Sequence, residues 1–143
     1  METNTIKIRT ESLNSKQLAL LARSTSENKK GVDPLILDIR KLTDFADFFV
    51  VVHGTSDRHV RTIADAIVDH LYTKKIKPLH IAGRNEATWI LLDYGAVIVH
   101  VFHYETRKFY NLERLWGDAK MVRADHKHQH EKQTQRTRRS HTS

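Results

Sequence analysis

The sequence contains no cysteine, only two prolines and five glycines, and no long apolar run. Without cysteine, the chain has no disulfide framework, no thiolate metal site and no cysteine nucleophile. Its apolar runs fall short of the roughly 18 residues that a membrane-spanning helix needs, and its first residues lack the apolar core of a signal peptide. We therefore expect a chain that does not enter a membrane and that works in the cytoplasm.

Positive charge is concentrated at the C-terminal end of the sequence. The chain of 143 residues has a net charge of +7. Residues 119–143 hold seven Lys and Arg against two acidic residues, whereas residues 1–118 hold 17 against 15. A basic tail on a nearly neutral body is typical of an electrostatic tether for an anionic surface such as nucleic acid.

Two apolar runs in residues 88–103 are joined at Asp93-Tyr94-Gly95 and predict a β-hairpin. A three-residue loop that ends on a left-handed glycine would pair Leu92 with Ala96. Because strand side chains alternate, both faces of the hairpin are then apolar, which predicts a position inside a sheet, covered by helices or by a partner. In this register the residues sort by face as Trp89 and Leu91 with Val97, Val99 and Val101, and Thr88, Ile90 and Leu92 with Ala96, Ile98 and His100.

Helix and strand patterns alternate along the chain. Asn14 and Gln17 resemble a capping box at the start of a first helix, which the polar run 24–30 ends. Ser56 caps the clearest helix, where apolar residues keep helical spacing until Pro78 prevents its continuation. The other predicted elements are strands at 35–40, 48–53 and 79–82, the two arms of the hairpin, a helix at 105–110 and a last short helix from Asn111 to Gly117.

This order of elements predicts a single α/β domain. A long helix between consecutive strands makes a crossover, so we expect a mixed sheet of five strands flanked by helices. We assign residues 1–12 to a loose N-terminal extension and residues 13–118 to the folded domain. Residues 119–143 have too few apolar side chains to fold alone and are predicted to be a disordered basic tail.

The loop Gly54-Thr55-Ser56, between a strand and a helix, is a candidate cradle for a phosphate group. It resembles the glycine-serine entry of nucleotidyltransferases, which pair this loop with two carboxylates that hold magnesium. Here Asp65 is followed by Ala66 and Ile67, so the second carboxylate is absent. Ser56 therefore fits an ordinary helix cap better than a catalytic loop.

No other pattern indicates catalysis or a bound metal. The ten histidines show none of the spacings of known metal sites, and no nucleophile elbow or Gly-rich nucleotide fingerprint is present. We predict that the chain is not an enzyme and that it needs no cofactor or metal. Aromatic residues near charged ones are typical of protein interfaces, although Trp89 and Trp116 fit a buried core as well.

Three stretches, taken together and in order, resemble the ribosomal silencing factor family, RsfS, also called Iojap. They are GTSDRHVRTIAD at 54–65, WILLDYGAVIVHVF at 89–102 and RKFYNLERLWGDA at 107–119. The resemblance implies an α/β fold with a mixed sheet, similar to nucleotidyltransferases but without their catalytic carboxylates. The missing acidic residue after Asp65 agrees with that implication.

The resemblance also implies a function and a docking surface. Members of the family bind the large ribosomal subunit through its fourteenth protein and block its joining to the small subunit when nutrients are scarce. The chain is therefore expected to repress translation by steric means, and the implied partner-binding residues are Trp89, Leu91, Asp93, Tyr94 and Tyr110.

Several alternatives stay open at this point. Organellar relatives assist assembly of the large subunit, so an assembly role is one alternative. A nucleotide-binding enzyme with a degenerate pocket at residues 54–57 is another. The basic tail is expected to contact ribosomal RNA, and the sequence leaves open whether two copies form a homodimer.

Overall fold

The computed structural model describes residues 13–111, 114, 117 and 120–122. Within these residues one sheet pairs its strands in the order β3-β4-β5-β2-β1-β6. The central strands β2 and β5 are parallel and the other neighbours are antiparallel, so the predicted mixed sheet is confirmed. The elements are α1 (Ser15–Asn28), β1 (Val32–Asp38), β2 (Phe48–Gly54), α2 (Asp57–Tyr72), β3 (His80–Ala82), β4 (Trp89–Asp93), β5 (Val97–His103), α3 (Tyr104–Tyr110) and β6 (Lys120–Met121).

Both long helices begin at the predicted caps. The Asn14 side chain accepts from the Gln17 backbone N–H at 2.8 Å, and the Gln17 side chain accepts from the Asn14 N–H at 2.9 Å. Ser56 Oγ accepts from the His59 N–H at 3.1 Å. These bonds satisfy amide groups that a helix leaves unpaired in its first turn.

Helix α1 continues through the polar run that was predicted to end it. Thr25 Oγ1 donates to the Leu21 carbonyl at 2.8 Å, and Ser26 Oγ donates to the Arg23 carbonyl at 2.7 Å. Both side chains are buried. Because their hydroxyl groups bond within the helix, the polar run does not interrupt it, and α1 ends at Asn28.

The predicted register of the central hairpin is wrong. Asp93 pairs with Ile98, whereas the expected pair was Leu92 with Ala96. The offset between the two registers is an odd number of residues, so every side chain of β4 shares its face with the other set of β5 side chains.

The turn of the hairpin is shorter than the expected three-residue loop. The Tyr94 N–H donates to the Val97 carbonyl at 2.9 Å, which leaves Gly95 and Ala96 as the central residues. Gly95 has a φ of +87°, and its N–H donates to the Asp93 carboxylate at 2.8 Å. The bond from the Gly95 N–H to the Asp93 carboxylate stabilises this two-residue turn and thereby favours the observed register.

This register separates aliphatic from aromatic side chains. Helices α1 and α2 cover one face of the sheet, where the strands contribute Ile36, Phe48, Val50, Val52, Ile90, Leu92, Val97, Val99 and Val101. The opposite face has its own, smaller cluster, made of Leu37, Ile39, Ala46, Phe49, Val51 and Phe102 with the partly buried Trp89 and Ile98. The domain therefore has a large core under its long helices and a thinner layer on the other side.

The described part of the sheet extends into the segment assigned to the tail. Strand β6 pairs with β1 through Leu37 and Met121 and through Asp38 and Lys120. This two-residue strand adds a sixth to the five predicted strands, because the outer edge of β1 offers unpaired backbone groups. The rest of the predicted tail, the predicted extension 1–12 and Trp116 lie outside the described residues. No helix in the described ranges is long and apolar enough to span a membrane.

Two glycines with positive φ provide a matched test of the hairpin. A Cβ at Gly83 would overlap the carbonyl oxygen of Trp89, whereas a Cβ at Gly95 would lie 3.5 Å from its nearest neighbour, a Leu79 methyl group. Gly95→Ala should therefore cost only about 1–2 kcal/mol for the left-handed backbone. Gly83→Ala should cost about 1–3 kcal/mol more, because backbone atoms must move.

Chemical denaturation of the two variants checks this difference. Equal losses in the free energy of unfolding would contradict the close approach of Gly83 to the start of β4.

Candidate functional site

A row of aromatic rings crosses the sheet face that α1 and α2 leave uncovered. Neighbouring ring centroids along this row lie 6.3, 4.6, 5.9, 5.0 and 5.0 Å apart. We call this surface the aromatic face; it comprises the rings of Phe45, Phe49, His100, Trp89, Tyr110 and Phe109, together with the half-buried Leu91 and Ile98.

The centre of the row is held by a hydrogen bond between two rings. Trp89 Nε1 donates to His100 Nδ1 at 3.1 Å. His100 is 5% exposed, and burial lowers its pKa from 6.5 to about 4. The imidazole is therefore neutral at neutral pH, with Nδ1 as an acceptor for the indole N–H. This bond fixes the orientation of Trp89, which stays half-buried on the aromatic face.

Helix α3 supplies the end of the row, and a buried arginine positions that helix. Arg107 Nη1 donates to the carbonyls of Val32 and Asp33 at 3.2 and 2.8 Å and contacts His53 Nδ1 at 3.0 Å. These bonds tie the short helix to the start of β1 and the end of β2. As a result the Tyr110 ring packs on the ring of Trp89, 5.0 Å between centroids.

Large apolar side chains remain open to solvent at both ends of the row. Phe45 is 59% exposed, Phe109 is 80% exposed and Tyr110 is 48% exposed. Adjacent exposed rings above a half-buried layer are typical of a surface that another macromolecule covers. The chemistry available here is apolar packing, with hydrogen bonding limited to groups at the rim.

Four of the five predicted site residues lie together on this face. Trp89 and Tyr110 are in contact, and Leu91 lies beside them on β4. Asp93 is on the same side of β4 at the turn, where its carboxylate also holds the Gly95 N–H. The register thus brings these four residues to one surface.

Tyr94 lies on the other side of the sheet. Its ring packs against the cluster under the long helices, and its hydroxyl group is buried without a hydrogen-bond partner. Burial raises the pKa of Tyr94 to about 12. Tyr94 was predicted to bind the partner together with Trp89, but the two-residue turn makes Tyr94 the last paired residue of its arm of the hairpin, so its side chain lies on the face opposite to Trp89 and Asp93.

Several residues of the aromatic face were not predicted. Phe49 and His100 share the face of Trp89 only in the observed register, so the wrong register hid them. Phe45 and Phe109 carry a signal that sequence reasoning could have used. Each is a large aromatic residue beside charged residues, and such rings are usually buried unless a partner covers them.

The candidate phosphate cradle is filled by a side chain of the chain itself. His59 Nδ1 accepts from the Thr55 N–H at 3.0 Å, and His59 Nε2 lies 2.9 Å from the Lys29 carbonyl oxygen. The imidazole also packs on Gly54, where a Cβ would lie 3.1 Å from the ring. Two amide groups that could bind an anion here are thus engaged, the Thr55 N–H by His59 and the His59 N–H by Ser56.

The carboxylate downstream of this loop is engaged as well. Arg84 donates to both oxygens of Asp65, at 2.9 and 2.6 Å. Arg61 donates in turn to the carbonyls of Arg84 and Asn85. These bonds fasten the loop before β4 to helix α2. In the described part of the chain, no group of three His, Asp or Glu side chains is arranged to hold a metal ion.

The chain is similar to known proteins over most of its length. A family model described as "Ribosomal silencing factor during starvation" matches residues 12–143. A protein of Bacillus subtilis named ribosomal silencing factor RsfS is 40% identical over 113 residues, which is 79% of this chain and 96% of that protein.

Two further relatives extend the comparison to structure and to organelles. A crystal structure of a protein from Chromobacterium violaceum superposes with a TM-score of 0.72 at 31% identity, covering 79% of this chain and 94% of the other. A mouse protein named mitochondrial assembly of ribosomal large subunit protein 1 is 30% identical over 100 residues, or 68% of this chain and 43% of that protein.

Burial of His100 predicts a specific dependence of stability on pH. Its pKa is lower in the folded chain than in the unfolded chain, so below pH 6.5 the unfolded state binds a proton that the folded state does not. Stability should therefore fall as pH falls from 6.5 towards 4, by about 1.4 kcal/mol per pH unit from this group alone.

The variant His100→Gln keeps an acceptor for Trp89 but does not titrate. Urea unfolding of both chains from pH 7 to pH 4.5 should show a shallower pH slope for the variant, since the other histidines are common to both. Identical slopes would show that His100 does not carry the effect.

The filled cradle predicts that Ser56 has a structural role. Ser56→Ala should lower the free energy of unfolding by about 1 kcal/mol through the lost helix cap. Neither the parent nor the variant should bind labelled nucleotide in the presence of magnesium. Magnesium-dependent transfer to any acceptor that Ser56→Ala abolishes would contradict this assignment.

Proposed function

The chain belongs to the ribosomal silencing factor family, RsfS, and from this membership we propose that it binds the large ribosomal subunit through that subunit's fourteenth protein. The bound chain then blocks joining of the small subunit in the cytoplasm and so represses translation. The observation that supports this proposal most strongly is the aromatic face, an apolar surface with exposed rings at both ends of its row.

The aromatic face has the composition of an interface centre. Trp89 and Tyr110 are large aromatic anchors in contact, and Leu91 adds an aliphatic side chain that is half-buried in the isolated chain. Covering such groups removes apolar surface from water, and aromatic anchors dominate the energetics of many interfaces. Asp93 at the end of β4 adds a negative charge at the rim, which favours a basic group on the partner.

A steric mechanism requires no chemistry from the chain. The bound domain only has to occupy space that the small subunit needs, so binding and repression are one event. This agrees with a loop at residues 54–57 in which the Thr55 N–H is engaged by the imidazole of His59. A nucleotide-binding enzyme is the weaker candidate for the same reason.

A role in assembly of the large subunit is the second candidate. The mouse relative is named for assembly of the mitochondrial large subunit, and it is 30% identical to this chain. Both roles would use the same docking surface, so the aromatic face does not favour one over the other.

The prediction that the basic tail contacts ribosomal RNA concerns residues outside the described part of the chain, and it remains a proposal.

Substitutions on the aromatic face test the proposal. Leu91→Arg places a charge in the centre of the face, at a position that already has access to solvent. Loss of a central contact typically costs 2 kcal/mol or more, which is about a thirtyfold loss of affinity for large subunits. Sedimentation with purified subunits measures binding, and a subunit-joining assay measures the consequence.

Two further variants separate the contributions. Asp93→Asn keeps the side-chain oxygen that accepts from Gly95 but removes the negative charge, so it isolates the electrostatic contribution. Tyr94→Phe is the matched control. It removes a hydroxyl group that lies on the opposite side of the sheet, where it is buried and has no hydrogen-bond partner. The control should melt like the parent and keep full binding.

The outcome is decisive when all three variants are folded. If Leu91→Arg melts within a few degrees of the parent, binds large subunits as tightly and still blocks joining, the interface lies elsewhere on the domain. If Leu91→Arg loses binding but normal assembly of large subunits also fails in cells that carry it, the assembly role is favoured.

A further inference from the structure

The net positive charge of residues 13–111 comes from one segment. Residues 13–111 contain 14 Lys and Arg against 11 Asp and Glu. Residues 70–85 contain four of these basic residues and no acidic residue, so the rest of that range has ten basic against eleven acidic residues. Arg84 is ion-paired with Asp65 at 2.6 Å, and the other three are Lys74, Lys75 and Lys77.

These three lysines are displayed on a well-defined turn at the end of α2. The Ile76 N–H donates to the Leu71 carbonyl at 3.0 Å, and the Lys75 N–H donates to the Tyr72 carbonyl at 2.9 Å. This pair of bonds, with Lys75 at a φ of +65°, is the Schellman arrangement that closes many helices. Ile76 packs against the core under the helices, so the turn is anchored to the domain while all three lysines are exposed.

An exposed aromatic ring lies within this group of charges. Tyr72 is 60% exposed, and Lys77 Nζ lies 5.8 Å from the centre of its ring. We call Tyr72, Lys74, Lys75 and Lys77 the basic turn. Lysines beside an exposed ring are the combination by which proteins bind nucleic acid without sequence preference, because ammonium groups contact phosphates and the ring stacks on a base.

We propose that the basic turn binds the phosphate backbone of RNA, with a base stacked on Tyr72. This inference goes beyond the proposed function, since it concerns a different surface and a different class of partner. RNA is favoured over an anionic membrane, because three lysines give only weak attraction to a lipid surface, whereas a stacked base adds affinity that lipid headgroups do not supply.

The test measures binding of the full chain to a fluorescein-labelled oligouridylate by anisotropy over a range of salt concentrations. Replacement of all three lysines of the turn by Gln keeps the length of each side chain and removes its charge. This variant should raise Kd about tenfold or more at low salt and reduce the salt slope by about 2, at roughly 0.7 for each lost phosphate contact. Tyr72→Ala should raise Kd about fivefold or more at every salt concentration.

The control replaces Lys16, Lys30 and Lys41 by Gln, which removes the same charge from exposed positions outside the basic turn. Both triple variants keep the C-terminal tail, so its contribution is common to them. Equal affinities and equal salt slopes for the two triple variants would overturn the proposal. So would a basic-turn variant that keeps RNA binding but loses binding to phosphatidylglycerol vesicles.

The variant Leu91→Gln, which alters the aromatic face without adding a positive charge, makes this result independent of the proposed docking surface. It should bind the oligouridylate as the parent does, whether or not it binds large subunits. If it lost RNA binding while folded, the RNA site would be on the aromatic face and the basic turn would not be the contact surface.

Discussion

The register between β4 and β5 is the constraint on which the rest of this structure depends. Pairing of Asp93 with Ile98 directs every fully buried aliphatic residue of the hairpin towards the two long helices. The same pairing leaves Trp89, His100 and Phe102 on the opposite face, where the short helix α3 is the helix that packs among the described residues. One hydrogen bond at the turn, from the Gly95 N–H to the side-chain carboxylate of Asp93, helps to fix this choice. A shift of β4 by one residue would turn Trp89 towards the helices and leave Ile90 and Leu92 on the opposite face.

Much of the fold follows from local sequence signals. Asn14 and Ser56 cap the helices that they were predicted to cap, and the long helix between strands makes the expected crossover. The element order and the mixed sheet are therefore readable from periodicity and turn residues. Helix α1 extends beyond its predicted end because buried hydroxyl groups donate to carbonyl groups within the helix. These bonds depend on tertiary packing, which the periodicity of the sequence does not show.

The candidate site was only partly predictable for a related reason. Trp89, Leu91 and Tyr110 meet on one surface, but Tyr94 is on the other face and His100 joins the surface instead. The loops of different hairpin turn types differ in length by single residues. Each shift of the strand pairing by one residue moves the side chains of one strand to the opposite face of the sheet. The sequence thus indicates which stretch forms the surface, and three-dimensional packing decides which side chains it shows.

The loop 54–57 and the aromatic face illustrate two different uses of the fold. At the loop, the side chains of His59 and Ser56 engage two amide groups that an anion could bind, and Asp65 is paired with Arg84. At the aromatic face, apolar rings remain exposed at both ends of a buried pair of rings.

The most direct measurement places a photo-crosslinking residue at Leu91 and, as a control, at the exposed Asn28 on α1, each in the presence of large subunits. We predict a cross-link from position 91 to the fourteenth protein and none from position 28; a chain that co-sediments with large subunits but cross-links to that protein only from position 28 would contradict the account.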